Sequence, residues 1–289
     1  MKTKLFYILF LATFFCLAQP KDIELPKGGE EMKISQGTFF LSFYITKNQE
    51  VYLEDKKINF YNDIAPMLSQ AIRTIPDNFY GPKIYYIYAD VNVAYKFVDK
   101  IKTEIGRIVY SRIDYKTDSY ENIMATMPSR INGSVKGRFR DDKIFTLKEQ
   151  QKNEEAAKEM MFPPPPPPPA FWQETFQHNL YQLNANKVAQ TLKEHSSETL
   201  TILPNGEYKY RGENYKFTNT AFLKDLHLKH EILFLRYGEN LSYGDYIKAK
   251  QQLRKIGIAF DKEKKPSAYK IEISFALEEK LKEKNLRIF

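Results

Sequence analysis

The sequence predicts an α+β protein of two similar two-layer modules, each running hairpin, helix, strand, helix, strand, joined by helical and polyproline segments. Three observations predict it. Runs of aromatic and β-branched residues, such as FFLSFYI from Phe39 and KIYYIYA from Lys83, alternate with apolar stripes at helical spacing. The segments keep the same order on both sides of a proline tract, Pro163 to Pro169. The residues repeat as well. Ile45-x-x-Asn48-x-Glu50 aligns without gaps to Ile202-x-x-Asn205-x-Glu207, and the same offset carries Phe60-x-Asn62 onto Phe217-x-Asn219.

In chain order, Lys2 and Lys4 precede an apolar run from Leu5 to Ala18. That run is too short for a spanning helix, which needs about 20 residues, so no integral membrane span is expected. With small Ala18 before Gln19 and Pro20, it reads as a signal peptide, residues 1–18, cleaved after Ala18. A lipoprotein anchored at Cys16 is the competing reading, but Phe14 and Phe15 stand where small residues are wanted. A third reading keeps the segment as an anchor. Cleavage removes the only cysteine, leaving no thiol, disulfide or zinc-thiolate site. The expected location is periplasmic or secreted.

The first module is assigned to residues 19–145. Phe39 to Ile45 and Val51 to Leu53 form its hairpin. In NDIAPMLSQAIRTI, Ile64, Leu68 and Ile72 make one helical stripe, with Asn62 or Asp63 as N-cap and Pro66 in the first turn. KIYYIYA is a buried strand, VAYKFVDKIKTEIG a helix closed by Gly106, and RIVYSRI a strand. Residues 146–197 are assigned as a linker, with a helix on each side of the prolines. The tract favours polyproline II at about 3.1 Å per residue, a strut of roughly 20 Å between the modules. Phe171 and Trp172 could clip its end onto a module.

The second module is assigned to residues 198–289. Leu200 to Leu203 and Tyr208 to Tyr210 form a hairpin around Pro204-Asn205-Gly206. TNTAFLKDLHLK is a helix, HEILFLRY a strand, and LSYGDYIKAKQQLRKIG a helix ending at Gly257. IGIAF and YKIEISF read as strands, and ALEEKLKEKN as a final helix. Ala89-Asp-Val-Asn-Val-Ala-Tyr95 pairs with Tyr237-Gly-Glu-Asn-Leu-Ser-Tyr243, each Tyr beginning a helix.

Chemistry is sparse. The chain of 289 residues carries a formal charge of +8, but its lysines are scattered among nearly as many carboxylates, so no nucleic-acid partner is expected. Only the segment from Ser129 to Arg140 is locally basic, and it reads as a solvated loop or hairpin. There is no phosphate-binding glycine loop and no G-x-S-x-G elbow. His227-x-x-His230 lacks a completing acid and has Lys224 and Lys229 nearby, which marks structural histidines. Asp90 and Glu239 sit at strand ends, where they are expected to cap the following helices. No catalytic, metal or cofactor site is assigned, and no enzymatic activity is expected. The candidate interaction or turn positions are Asp90, Tyr95, Glu239, Tyr243, Phe171 and Trp172.

Hydrophobic strand, acidic turn and Tyr-initiated helix, in Tyr86 to Tyr95 and again in Phe234 to Tyr243, resemble the periplasmic domain of the ExbD/TolR family of biopolymer-transport proteins. The resemblance covers about Phe39 to Ile113 and Leu200 to Phe275. It implies an envelope module that associates with itself or with a protein partner, and in some members with peptidoglycan. The family's transmembrane helix carries a proton-sensing aspartate, whereas no Asp or Glu lies between Leu5 and Ala18, so force transduction is not implied. The expected function is binding or scaffolding in the bacterial envelope, with a cell-wall-associated glycan binder or enzyme as the alternative.

Overall fold

The structure, a computed structural model, describes residues 23–31, 39–75, 83–108, 112–118, 122–126, 172–263, 268–286 and 288. The leader, the prolines, Phe171 and the basic segment lie outside them. The architecture is α+β, with two modules of the same topology. The first contributes β2 (Phe39–Ile45), β3 (Val51–Leu53), β4 (Lys56–Ile58), α1 (Ile64–Arg73), β5 (Lys83–Ala89), α2 (Tyr95–Ile108) and β6 (Arg112–Lys116). The second repeats this as β8 (Ser197–Leu203), β9 (Glu207–Tyr210), β10 (Glu213–Lys216), α5 (Thr220–Lys229), β11 (Ile232–Tyr237), α6 (Tyr243–Lys262) and β12 (Tyr269–Glu272).

The two sheets share the strand order β4-β3-β2-β5-β6 and β10-β9-β8-β11-β12, with antiparallel hairpins on one side and parallel pairs on the other. The first sheet is extended to seven strands by β7 (Asn122–Thr126) and β1 (Glu30–Glu31). Even the register is repeated: Ile45 lies opposite Ala89 as Ile202 lies opposite Tyr237. Beyond these pairs, the Asp90 amide donates to Ile45 O (2.9 Å) and the Gly238 amide to Ile202 O (2.8 Å). The sequence offset of 157 therefore holds for the hairpins, and one of 148 for everything from β5 to the Tyr-initiated helices.

Strand alternation explains the apolar runs. In β11, Leu233, Leu235 and Tyr237 enter the core under α5 and α6, whereas Ile232 and Phe234 face a second cluster. That cluster is supplied by α3 (Trp172–Tyr181), α4 (Ala185–Glu194) and α7 (Phe275–Glu283), through Phe176, Leu180, Val188, Leu277 and Leu281. A strand buried on both faces reads as HEILFLRY because neither face needs polar residues. The helical region expected after the prolines is two helices packed on the second sheet. They break at Leu183 (φ 56°), and Asn184 Oδ1 caps α4 by accepting from the Lys187 amide (3.4 Å).

Several expectations are corrected. Gly106 and Gly257 do not end their helices: α2 continues to Ile108 and α6 to Lys262. IGIAF is consequently helix, not strand. Leu253, Ile256 and Phe260 keep a core-facing stripe, and their burial, about 1.5–3 kcal/mol each, outweighs the roughly 1 kcal/mol helix cost of glycine. In RIVYSRI, Arg107 and Ile108 belong to α2, residues 109–111 lie outside the described residues and Arg112 and Ile113 open β6; each hairpin gains a third strand, β4 and β10. A strut holding two bodies apart does not describe their arrangement. One hydrophobic core runs from Leu41 and Ile101 of the first module to Leu235 and Ile256 of the second.

Candidate functional site

The two modules meet where their repeated turns enter α2 and α6. The Tyr95 amide donates to Leu241 O and the Tyr243 amide donates to Val93 O, both at 2.8 Å, around an antiparallel bridge between Ala94 and Ser242. Exchange of residues 93 and 95 with 241 and 243 leaves the pattern unchanged, so the bridge lies on a local twofold axis. The Gly244 amide adds a bond to Val91 O (2.9 Å). A Cβ at Gly244 would stand 2.5 Å from Val91 Cγ2 and 3.0 Å from Val91 O, so this approach requires glycine.

Below the bridge lies a buried group of tyrosines. Tyr95 stacks on Tyr246 with centroids 3.8 Å apart and meets Tyr237 edge-on at 4.7 Å. Tyr246 meets Tyr115 at 5.6 Å and 89°, and donates its hydroxyl to the Tyr115 oxygen (3.1 Å). Burial pushes these phenols up, Tyr115 to about 12 and Tyr95, Tyr237, Tyr243 and Tyr246 well above their ordinary value.

Charges thread this aromatic layer. Glu272, at the end of β12, pairs with Lys250 of its own module and, at 3.3 Å, with Lys102 of the other. It also lies 3.1 Å from the Tyr246 hydroxyl, and Lys102 Nζ donates to the Tyr95 oxygen at 3.3 Å. Asp99 accepts from the Tyr95 hydroxyl (3.3 Å) and from the Phe275 amide (2.9 Å), tying the start of α7 to α2. Two cations thus face two carboxylates. Burial alone would raise the Glu272 carboxyl, but Lys250 and Lys102 together hold it well below the usual carboxylate range. Burial opposes charge on Lys102 too, and Tyr115, Glu272 and Asp99 overcome it and push the ammonium up.

The repeat explains the layout. Lys102 and Lys250 are equivalent, each seven residues after its Tyr and hence on the same helical face. Tyr115 lies opposite Ile87 as Glu272 lies opposite Leu235, so these two are equivalent as well. The axis brings together two like lysines and two unlike strand residues.

Of the expected positions, Tyr95 and Tyr243 are the centre of this interface. Asp90 and Glu239 are not helix caps. Asp90 is buried and accepts from the Asn92 amide (2.9 Å) and the Glu24 amide (3.1 Å), fastening the N-terminal segment to the turn. Glu239 is exposed in its turn. The cap of α6 is Ser242, whose Oγ accepts from the Asp245 amide (3.0 Å). Trp172 stands away from the axis and stacks on His195 at 3.8 Å and 8°. Lys102, Lys250, Glu272, Asp99, Tyr115 and Tyr246 escaped the sequence reading, although Tyr-x6-Lys occurs at Tyr95–Lys102 and again at Tyr243–Lys250. The arrangement acts as a lock: breaking it would leave charges unpaired in a largely buried interface. No known protein family, curated protein or solved structure matches the chain.

Proposed function

We propose that the protein is an exported binding or scaffolding component of the bacterial envelope, an internally paired form of the ExbD/TolR-like periplasmic module. The observation that carries this reading is the local twofold at Tyr95 and Tyr243. The segments that resemble the family, Tyr86 to Tyr95 and Phe234 to Tyr243, are the ones that lead into the join between the modules. Pairing that separate chains would achieve by association is here built into one chain, and the outer strands are left for partners. β4 and β10 are terminal in their sheets and β10 is largely exposed, which suits strand addition by an envelope protein.

Export rests on the leader reading, with cleavage after Ala18. N-terminal sequencing of protein from cells is expected to begin at Gln19, and a start at Met1 would replace export with anchoring. A photo-crosslinker at Asn214 on β10 is expected to capture a defined envelope protein or a second copy in intact cells. Recovery of the monomer alone would refute the scaffold reading, as would turnover of peptidoglycan by the purified protein.

A further inference from the structure

The hairpins of the two modules end in edge strands that are built differently. The β9–β10 hairpin turns at Arg211 (φ 48°) and Gly212 (φ 93°), between Tyr210 and Glu213, which lie opposite each other. The pair flanking a two-residue turn is hydrogen-bonded, so Glu213 and Tyr215 direct their backbone groups toward β9. The Phe217 amide, donating to Gly206 O at 2.7 Å, continues that alternation. Asn214 and Lys216 therefore turn their amides and carbonyls outward, at the exposed end of a five-stranded sheet. In β4 the turn at Glu54 and Asp55 makes Lys57 the outward residue, with Lys56 paired to Leu53. At the offset of 157, Lys57 is the equivalent of Asn214. A lysine there guards an edge, and the second module lacks it.

The residues of β10 fit a second copy of themselves. A strand paired antiparallel with its own copy does so about a twofold axis, with outward groups facing outward groups. Centred on Asn214, the pairing would set Lys216 against Gly212, whose φ of 93° takes it out of the strand. Centred on Lys216, it would set two lysines opposite each other. Centred on Tyr215, Asn214 of each copy exchanges hydrogen bonds with Lys216 of the other. Tyr215 then meets its own copy as a non-hydrogen-bonded pair, the closer kind. Each Tyr215 ring is already stacked on Phe222, at 3.8 Å and 2°, so the axis brings two ordered aromatic pairs side by side. On the other face, Asn214 and Lys216 are both held by Glu207 of their own hairpin. Lysines and glutamates are therefore balanced across the axis. The same operation on β4 would oppose two copies of Lys57.

We propose that β10 pairs antiparallel with β10 of a second copy, centred on Tyr215, joining two five-stranded sheets into one continuous sheet of a twofold dimer. The inference rests on the reading of β10 as an edge left for partners, and it names that partner. The first module, guarded by Lys57, stays outside the contact, so the assembly closes at two chains.

Sedimentation of the purified full-length chain from about 10 μM to 1 mM is expected to shift from one chain toward two, with a Kd of order 100 μM, as suits a contact smaller than about 1,200 Å². Asn214→Lys sets like charges opposite Lys216 on both sides of the axis. It is expected to raise that Kd about tenfold with an unchanged circular dichroism spectrum. The register has its own test, in a chain whose one cysteine is removed by Cys16→Ser. There Tyr215→Cys is expected to form an intermolecular disulfide under mild oxidation, because Cα atoms of a non-hydrogen-bonded pair lie about 4.5 Å apart, within disulfide range. Glu213→Cys, on the same face but off the axis, is expected to form far less. A chain that stays monomeric up to about 1 mM would overturn the proposal. So would a dimer that Asn214→Lys does not weaken, equal crosslinking by Glu213→Cys and Tyr215→Cys, or species larger than a dimer. A monomer in solution whose position 214 crosslinks in cells to a different envelope protein overturns it too, while leaving the scaffold reading intact.

Discussion

Replacing Glu272 by glutamine keeps the shape of the side chain and removes the one carboxylate that pairs with both Lys102 and Lys250. Lys102 retains the Tyr95 hydroxyl and the attraction of Asp99, whereas Lys250 loses the partner that holds it. Removing one member of a buried pair costs about 3–5 kcal/mol, and the retained amide oxygen places Glu272→Gln near the lower bound. Because the two modules share one core and melt as a unit of about 200 residues, each kcal/mol lowers Tm by about 2–4 °C, so a fall of roughly 6–12 °C is expected in a thermal melt followed by circular dichroism. Adding Lys250→Met should recover part of it, since the double variant leaves fewer unpaired charges. The pH dependence has a definite sign. The folded pKa of Glu272 is depressed, so its contribution is complete above the ordinary value of 4.5 and disappears as pH falls toward the folded value. The gap between wild type and Glu272→Gln should therefore be constant near neutrality and close below about pH 4.5. A Tm loss under about 2 °C, or a gap that does not narrow as pH falls below about 4.5, would refute the idea that this ion pair locks the modules together.

Gly244→Ala forces a Cβ against Val91 and should cost about 1–3 kcal/mol in chemical denaturation, with partial rescue by Val91→Ala. Ser242→Ala removes the N-cap of α6 and should cost about 1 kcal/mol by the same measurement, while Glu239→Ala, in an exposed turn, should cost almost nothing. Asp90→Ala removes the acceptor of the Glu24 and Asn92 amides. It should cost about 1–3 kcal/mol and make the chain before residue 30 the first site of limited proteolysis.

Much of the fold is legible because its signals are local and repeated. The apolar stripe Ile64, Leu68, Ile72 marks α1, and Asn205-Gly206, both at positive φ, marks the second hairpin. The offset of 157 between hairpins is visible without any structure. Helix ends were less legible, because Gly106 and Gly257 carry a stop signal that tertiary packing overrides. The caps are ambiguous in sequence for a related reason: Asp90 is an equally good acceptor for a helix or for a neighbouring segment, and only the fold brings Glu24 within reach. The interface was legible in Tyr95 and Tyr243 alone. Lys102, Lys250 and Glu272 look like ordinary surface residues in a chain rich in lysine and glutamate, and nothing local says that a second module will cover them.

The unequal pair Tyr115 and Glu272 has a consequence for how the chain could be taken apart. In a dimer of identical subunits both positions would hold the same residue. Two copies of the second module would set each Lys250 beside a Glu272, whereas two copies of the first would set each Lys102 against a phenol, with only Asp99 of its own helix for charge. Covalent linkage keeps the halves at high effective concentration and frees them from having to match themselves. The halves have become complementary rather than interchangeable: the second retains the charges for self-association, and the first depends on its tether.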